Sequence, residues 1–239
     1  MTYLTYSKST KMQTQKIQTP LKIQKIQITK KIILLIFENQ IELTSTFLRF
    51  QEHYESPKFH NKIFSLKQYK TWYKKEKRKK TFTYYTDWNG FNIPSYILKP
   101  FYTNKFKSIT PTEKQILNLF KKETKKPDHQ FYIIAIHKKT RFKKSILKHE
   151  IAHALYYTNQ NYKKEIQKQL NKYKLTKLQN KLMKMGGYHK KVIEDETHAY
   201  SLDYSLGFKL KIPIFLHFKL KKIYTKYLKL ENIKISKII

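Results

Sequence analysis

The chain has 239 residues, enough to bury a core, and 40% of them are hydrophobic, with 19 Tyr and 15 Phe, which excludes overall disorder. Its 51 basic residues against 16 acidic ones give a net charge of +35, and the absence of Cys excludes a disulfide scaffold and thiol catalysis. No apolar run outlasts Ile32–Phe37, which is far too short to span a bilayer, so a soluble intracellular protein is expected, cytoplasmic by default or organellar.

Residues 1–31 mix Lys, Thr, Gln and Ile, repeat Lys-Ile-Gln and carry no acid. They are expected to form a flexible basic lead, with an organellar targeting peptide as the alternative. Residues 32–127 read as an N-terminal helical and hairpin region. Apolar positions at helical spacing predict a core helix over 32–50, running towards Tyr54 and stopped before Pro57. Phe64–Tyr73 is a second short helix, and Lys74–Lys80 a solvated basic loop. With Trp72, Tyr73, Tyr84 and Tyr85 beside it, that loop is also a conceivable nucleic-acid patch. Thr81–Thr86 is strand-like by its β-branched and aromatic content, Asp87–Gly90 a turn, and Phe91–Pro94 the return of a hairpin or a packing loop. Thr110-Pro111-Thr112-Glu113 starts a helix that runs to about Lys122.

Residues 128–239 read as a metal-binding region, with 32–239 as a single domain in the alternative. Phe131–Ile136 is the clearest strand, and a basic loop leads from it into a helix over 145–157. Amphipathic helices follow over Tyr162–Tyr173 and Leu175–Met185, the latter closed by Gly186-Gly187. Val192–Leu206 is a further helix ended by Gly207, and the tail carries a helix around 215–230.

The helix over 145–157 contains His149-Glu150-Ile151-Ala152-His153, an H-E-x-x-H motif free of Gly and Pro. Four residues make slightly more than one turn, so both imidazoles project side by side and can reach one Zn²⁺. Glu150 sits about 100° round the helix from His149, where it can flank the metal and take a proton from water. Two core histidines bonded to backbone or tyrosine are the alternative reading of the same pattern.

A catalytic zinc site needs three protein ligands and one open position. Val192–Asp203 is the downstream stretch that offers several candidates. Glu194 and Glu196 point about 200° apart on a helix, so only one can face the zinc. Glu196 and Asp203 fall within the apolar arc of Val192, Ile193, Ala199, Tyr200, Leu202 and Leu206, while Glu194, His198, Ser201 and Ser205 cluster opposite. A carboxylate in a core-facing stripe is costly unless paired or metal-bound. Glu196 is therefore the expected third ligand, and Asp203 a candidate partner orienting a zinc histidine. Pairing of both acids with buried Lys or Tyr is the alternative.

The order strand, H-E-x-x-H helix, intervening helices and Glu-bearing helix resembles the zincin metallopeptidases. It is closer to the gluzincin type, and similar to small cytosolic metallopeptidases linked to repressor cleavage. The resemblance covers residues 131–207 and rests on the motif and on Glu196-Thr197-His198-Ala199-Tyr200. It implies an α+β fold, with a mainly helical zincin-like core and a small sheet whose strand precedes the metal-binding helix. It also implies His149, His153 and Glu196 as Zn²⁺ ligands and Glu150 as the general base in peptide-bond hydrolysis. Tyr156, Tyr157, Tyr188 and His189 are candidates to hold the oxyanion.

Three functions are thus in view. The first is a zinc metallopeptidase acting on a peptide or protein substrate. The second is a non-catalytic zinc-stabilised module. The third is a basic nucleic-acid-binding protein, which the charge favours less than its size suggests. All basic residues but Arg49, Arg78 and Arg141 are Lys, and the accompanying wealth of Ile, Asn, Tyr and Phe follows A/T-rich codons. Specific nucleic-acid readout tends to recruit Arg forks instead.

Overall fold

The protein is described by a computed structural model over residues 20–78, 80–125, 130–203 and 210–238. Its architecture is α+β, mainly helical around one small mixed sheet. The strands are β1 (Gln24–Thr29), β2 (Ile32–Phe37), β3 (Gly90–Pro94) and β4 (Tyr132–His137), in the spatial order β1-β2-β4-β3. β2 and β4 run parallel, in register from Ile32↔Tyr132 to Phe37↔His137, while β1 and β3 close the two edges antiparallel.

Both central strands are buried at every position, and apolar at all but His137, because both faces of the sheet are covered. Ile33, Leu35, Phe37, Ile133 and Ala135 face one hydrophobic layer, built on α1 (Gln40–Glu55) and a cluster of aromatic side chains. Ile32, Leu34, Ile36, Tyr132, Ile134 and Ile136 face the other, built on α6 (Lys143–Thr158). The period-2 alternation divides the core into two halves, and β2 pairing with β4 joins the two expected regions in one sheet.

Two expectations give way here. Ile32–Phe37 is a strand, and α1 begins only at Gln40, after Asn39 caps it by accepting from the Glu42 amide at 3.0 Å. A short apolar run fits a doubly buried strand as well as a helix, and the parallel pairing with β4 decides between them. The expected mobile lead is also structured from residue 20. Leu21 is buried and exchanges backbone hydrogen bonds with the Gln115 side chain, and β1 follows. Residues 1–19 lie outside the described residues.

The expected helix over Phe64–Tyr73 is α2 (Leu66–Glu76), started by a Ser65/Gln68 capping box and extending into the basic run. The strand expected over Thr81–Thr86 is replaced by a turn of helix, α3 (Tyr84–Asp87). Its aromatics pack inward on Tyr69 and Tyr73 rather than along a sheet. Tyr73 and Tyr84 are consequently buried, so they do not form an exposed platform on which bases could stack. Phe91–Pro94 pairs with β4 as most of β3.

A short helix α4 (Lys99–Tyr102) precedes α5 (Pro111–Phe120), which Thr110 and Glu113 cap reciprocally. After β4 and α6 come α7 (Gln160–Leu170), α8 (Thr176–Gly186), α9 (Ile193–Ser201) and α10 (Ile214–Leu230). Gly187 ends α8 at φ +70°, a left-handed conformation that suits glycine. The expected end of the Val192–Leu206 helix falls at residues outside those described. Among the described residues no helix is long and apolar enough to cross a membrane.

Candidate metal centre

α6 is wedged between the sheet and the later helices. Leu147, Ile151, Ala154 and Leu155 pack into the layer against β2 and β4, leaving another side of the helix to meet α9. His149 and His153 lie one turn apart there, their Nε2 atoms 3.1 Å from each other. Glu196 approaches from α9, with Oε1 3.7 Å from His153 Nε2 and Oε2 3.8 Å from His149 Nε2. The three side chains form a group that could hold a metal ion. A tetrahedral ion bonded to nitrogen and oxygen at 2.0–2.2 Å needs ligand atoms roughly 3.3–3.6 Å apart. The imidazole nitrogens lie slightly closer than that, each Glu196 oxygen lies slightly farther from a different ring, and one donor atom from each residue falls within 4.8 Å of the others.

The electrostatics agree with the geometry. Burial pushes the His153 imidazole down to about 3 and His149 well below its usual value, so both rings are neutral, the form that ligates metal. The Glu196 carboxyl is raised well above the carboxylate range by burial and by the neighbouring Glu55, Asp195 and Glu150. Its Oε2 is buried without a hydrogen-bond partner. A buried group of acids beside neutral histidines leaves negative charge that a bound cation would offset.

The groups behind the ligands are also defined. His149 donates a hydrogen bond to the backbone carbonyl of Ala199, and Asp195 Oδ2 lies 3.0 Å from His153 Nδ1. Asp195 reaches His198 as well, whose Nδ1 is 3.5 Å from Oδ1, and Tyr162 OH lies 2.6 Å from His198 Nε2. Such contacts fix the ring orientation of a ligating histidine. Asp203, expected in this role, instead accepts from Ser145 Oγ at 2.7 Å and acts on His149 through its charge. His198, expected on the polar side of α9, is fully buried because helices cover that side too.

Glu150 is held by the sheet edge. Asn92 of β3 donates to Glu150 Oε2 at 2.7 Å and accepts from the Tyr132 hydroxyl. The Asn92 amide, on the open side of β3, donates to Gln51 Oε1 at 3.2 Å, and Gln51 donates to Glu55 Oε2 at 2.5 Å. A Cβ at position 90 would stand 2.5 Å from Glu150 Oε1 and 2.6 Å from Ile146 Cγ2, so only glycine lets β3 approach α6 this closely. Burial raises the Glu150 carboxyl to about 8, and the Asn92 bond works against that rise.

The structure thus brings together His149, His153 and Glu196, with Glu150 on the same cavity wall as His149 and Glu196. Glu194 faces elsewhere, accepting from Tyr156 OH and from Gln167 Nε2. Of the oxyanion candidates, Tyr156 is engaged by Glu194, Tyr157 packs on Tyr132, and His189 stacks on His60. Tyr188 does line the cavity and bonds Tyr200 OH at 3.0 Å, and Tyr200, not one of those candidates, sets its ring 4.8 Å from that of His149. Asn92, Gly90, Asp195 and Glu55 were also missed. Asp195 alone had a local signal, standing between the two glutamates under consideration. No protein-family model, no curated protein and no solved structure matches the chain.

Proposed function

We propose that the protein is a zinc-dependent metallopeptidase of the zincin type, with His149, His153 and Glu196 as ligands and Glu150 as general base. The observation that supports this reading most is the company Glu150 keeps. It shares a buried cavity wall with His149 and Glu196, yet a dedicated asparagine on a strand edge orients it. A purely structural zinc site needs no such oriented carboxylate. Two imidazoles and a carboxylate gathered within 4.8 Å of one another suit Zn²⁺.

When bound, Zn²⁺ would polarise the scissile carbonyl and lower the pKa of water towards neutrality. Glu150 removes a proton from the attacking water as its oxygen bonds the carbonyl carbon. It returns that proton to the nitrogen as the C–N bond breaks. Asn92 keeps the carboxylate aimed through both transfers. Tyr200, beside His149 and kept protonated by burial, is the hydroxyl we assign to the developing oxyanion, with Tyr188 bonded to it. Asp195 holds His153 in its ligating orientation.

The test is Glu150→Gln in the full chain, loaded with zinc and assayed on a fluorescent casein. The variant should retain zinc and far-ultraviolet circular dichroism while hydrolysis falls about 10²–10⁴-fold. Undiminished turnover would exclude Glu150 as the base. A wild-type protein that holds zinc and cleaves no peptide would instead be a zinc-stabilised module.

A further inference from the structure

The cavity that contains the metal centre extends along α1 into a recess walled by aromatic side chains. Its volume is about 700 Å³, in the range of pockets that enclose a ligand of several residues. Its charge is the reverse of the chain's. The chain carries 51 basic residues against 16 acidic ones, yet Glu52, Glu55, Glu76 and Asp87 line this cavity beside the acids of the metal centre, against Lys77 and Lys184.

Glu52 and Glu55 stand three residues apart on α1, so they lie on one face of the helix. Glu55 is the member nearer the metal centre and is destabilised by the charge of Glu150. Glu52 sits further along, among the hydroxyls of Tyr69, Tyr84 and Ser56. The Tyr84 and Ser56 hydroxyls turn towards its carboxylate, yet neither has a partner within bonding geometry, although both residues are almost wholly buried. Trp72, Tyr73 and Trp88 complete the wall. Burial drives Glu52 up to about 7 and Glu55 well above the carboxylate range.

Among the described residues, no cation lies within ion-pair distance of Glu52 or Glu55. Lys77 and Lys184 line the cavity, and the charge of Lys77 favours ionised Glu52, but neither lysine closes an ion pair with Glu52 or Glu55. Elsewhere a buried acid is neutralised from within, as Arg49 does for Glu113. Unbonded hydroxyl oxygens, two carboxylates and aromatic faces are together the receptor for an alkylammonium or guanidinium group. The oxygens accept its protons, and the rings cover its methylene stem and face its charge.

We propose that this recess receives a cationic group of the substrate, the side chain of a lysine or arginine near the scissile bond. The proposal rests on the peptidase reading for its substrate, but its chemistry can be tested without turnover. Both tryptophans of the chain, Trp72 and Trp88, line the cavity, so intrinsic fluorescence reports directly on its occupation. The net charge of +35 repels cationic peptides in general, so a preference for them cannot arise from the overall field.

The experiment uses the zinc-loaded Glu150→Gln full chain at physiological salt. It is titrated with acetylated, amidated alanine pentapeptides carrying Lys, norleucine or Glu at the centre. The Lys peptide should bind at least tenfold more tightly than the norleucine peptide, and Glu52→Gln should reduce that ratio below threefold. Equal affinity for Lys and norleucine, or a ratio that Glu52→Gln leaves intact, overturns the proposal. An unblocked pentaalanine that competes as well as the Lys peptide would support the cationic recess and assign it to the α-amine. Lys selectivity in a wild-type chain that cleaves no peptide would retain the recess and remove the peptidase reading. Cleavage of Lys and norleucine peptides at equal kcat/KM by wild type would do the reverse.

Discussion

Helix α1 carries two kinds of buried charge less than two turns apart. Arg49 and Glu113 form a closed unit. The guanidinium bonds both carboxylate oxygens and donates to the carbonyls of Lys107 and Ser108 at 3.1 and 3.2 Å, while Glu113 also caps α5. Each guanidinium nitrogen has an acceptor, and phenylalanine rings lie beside the ion pair. Glu55, on the same helix, is opposed by the charges of Glu150, Asp195 and its neighbour Glu52, and Glu196 is opposed by Glu55 in turn. One site is a charge balanced for folding. The other is a cluster of acids that no ion pair among the described residues neutralises, and that contrast within one helix separates compensated from uncompensated burial.

Substitutions at the two sites should therefore act in opposite directions. Arg49→Met strands Glu113 in the core and should destabilise the protein by about 3–5 kcal/mol in equilibrium urea unfolding. Glu55→Gln removes a carboxylate whose ionisation the fold opposes, and should stabilise the metal-free protein at pH 8 by about 1 kcal/mol. Loss of stability in both variants would show that the Glu55 cluster is internally compensated and would remove the contrast.

A smaller effect follows from pH. Buried Glu150, raised to about 8, keeps a proton that the unfolded chain loses above about 4.5, as do Glu55 and Glu196 with their raised values. Their contribution to stability therefore falls as pH rises through that interval. His153, lowered to about 3, acts the other way, since the unfolded chain binds a proton below about 6.5 that the folded chain refuses. Its contribution rises with pH up to about 6.5 and is then constant. Between pH 6.5 and 8 the carboxylates act alone, and metal-free protein should lose about 1 kcal/mol per pH unit for each carboxyl that stays protonated, roughly 2–4 °C in Tm apiece. Zinc ionises Glu196 on binding and should reduce the fall. A metal-free Tm that climbs over this interval would contradict the uncompensated cluster.

Much of this was legible in the sequence where the signal is local. The H-E-x-x-H spacing puts His149 and His153 on one face of α6, and the apolar arc of α9 selects Glu196 over Glu194. The helices begun by Thr110 and ended by Gly187 carried recognisable caps. What escaped depends on contacts distant in sequence. Ile32–Phe37 offers no periodicity to distinguish strand from helix until β4 pairs with it. Gln24–Thr29 resembled low complexity because its edge strand is largely solvent-facing, with only Ile26 and the residues near the turn partly buried. Gly90 read as a turn residue, whereas its role is the close passage of β3 over Glu150, 60 residues away in the chain. Glu52 and Glu55 drew no notice, because nothing local reveals that α1 ends against the metal centre. The amide of His189 bonding the Glu55 carbonyl at 2.7 Å is what ties those parts together.

The central claim, a metal centre completed by Glu196, is tested most directly by zinc stoichiometry from mass spectrometry on purified full chain, together with Glu196→Ala and Glu194→Ala. One zinc per chain is expected in the wild type and in Glu194→Ala, whose lost partners are Tyr156 and Gln167, with zinc lost from Glu196→Ala. Full occupancy in Glu196→Ala with none in Glu194→Ala would contradict the account.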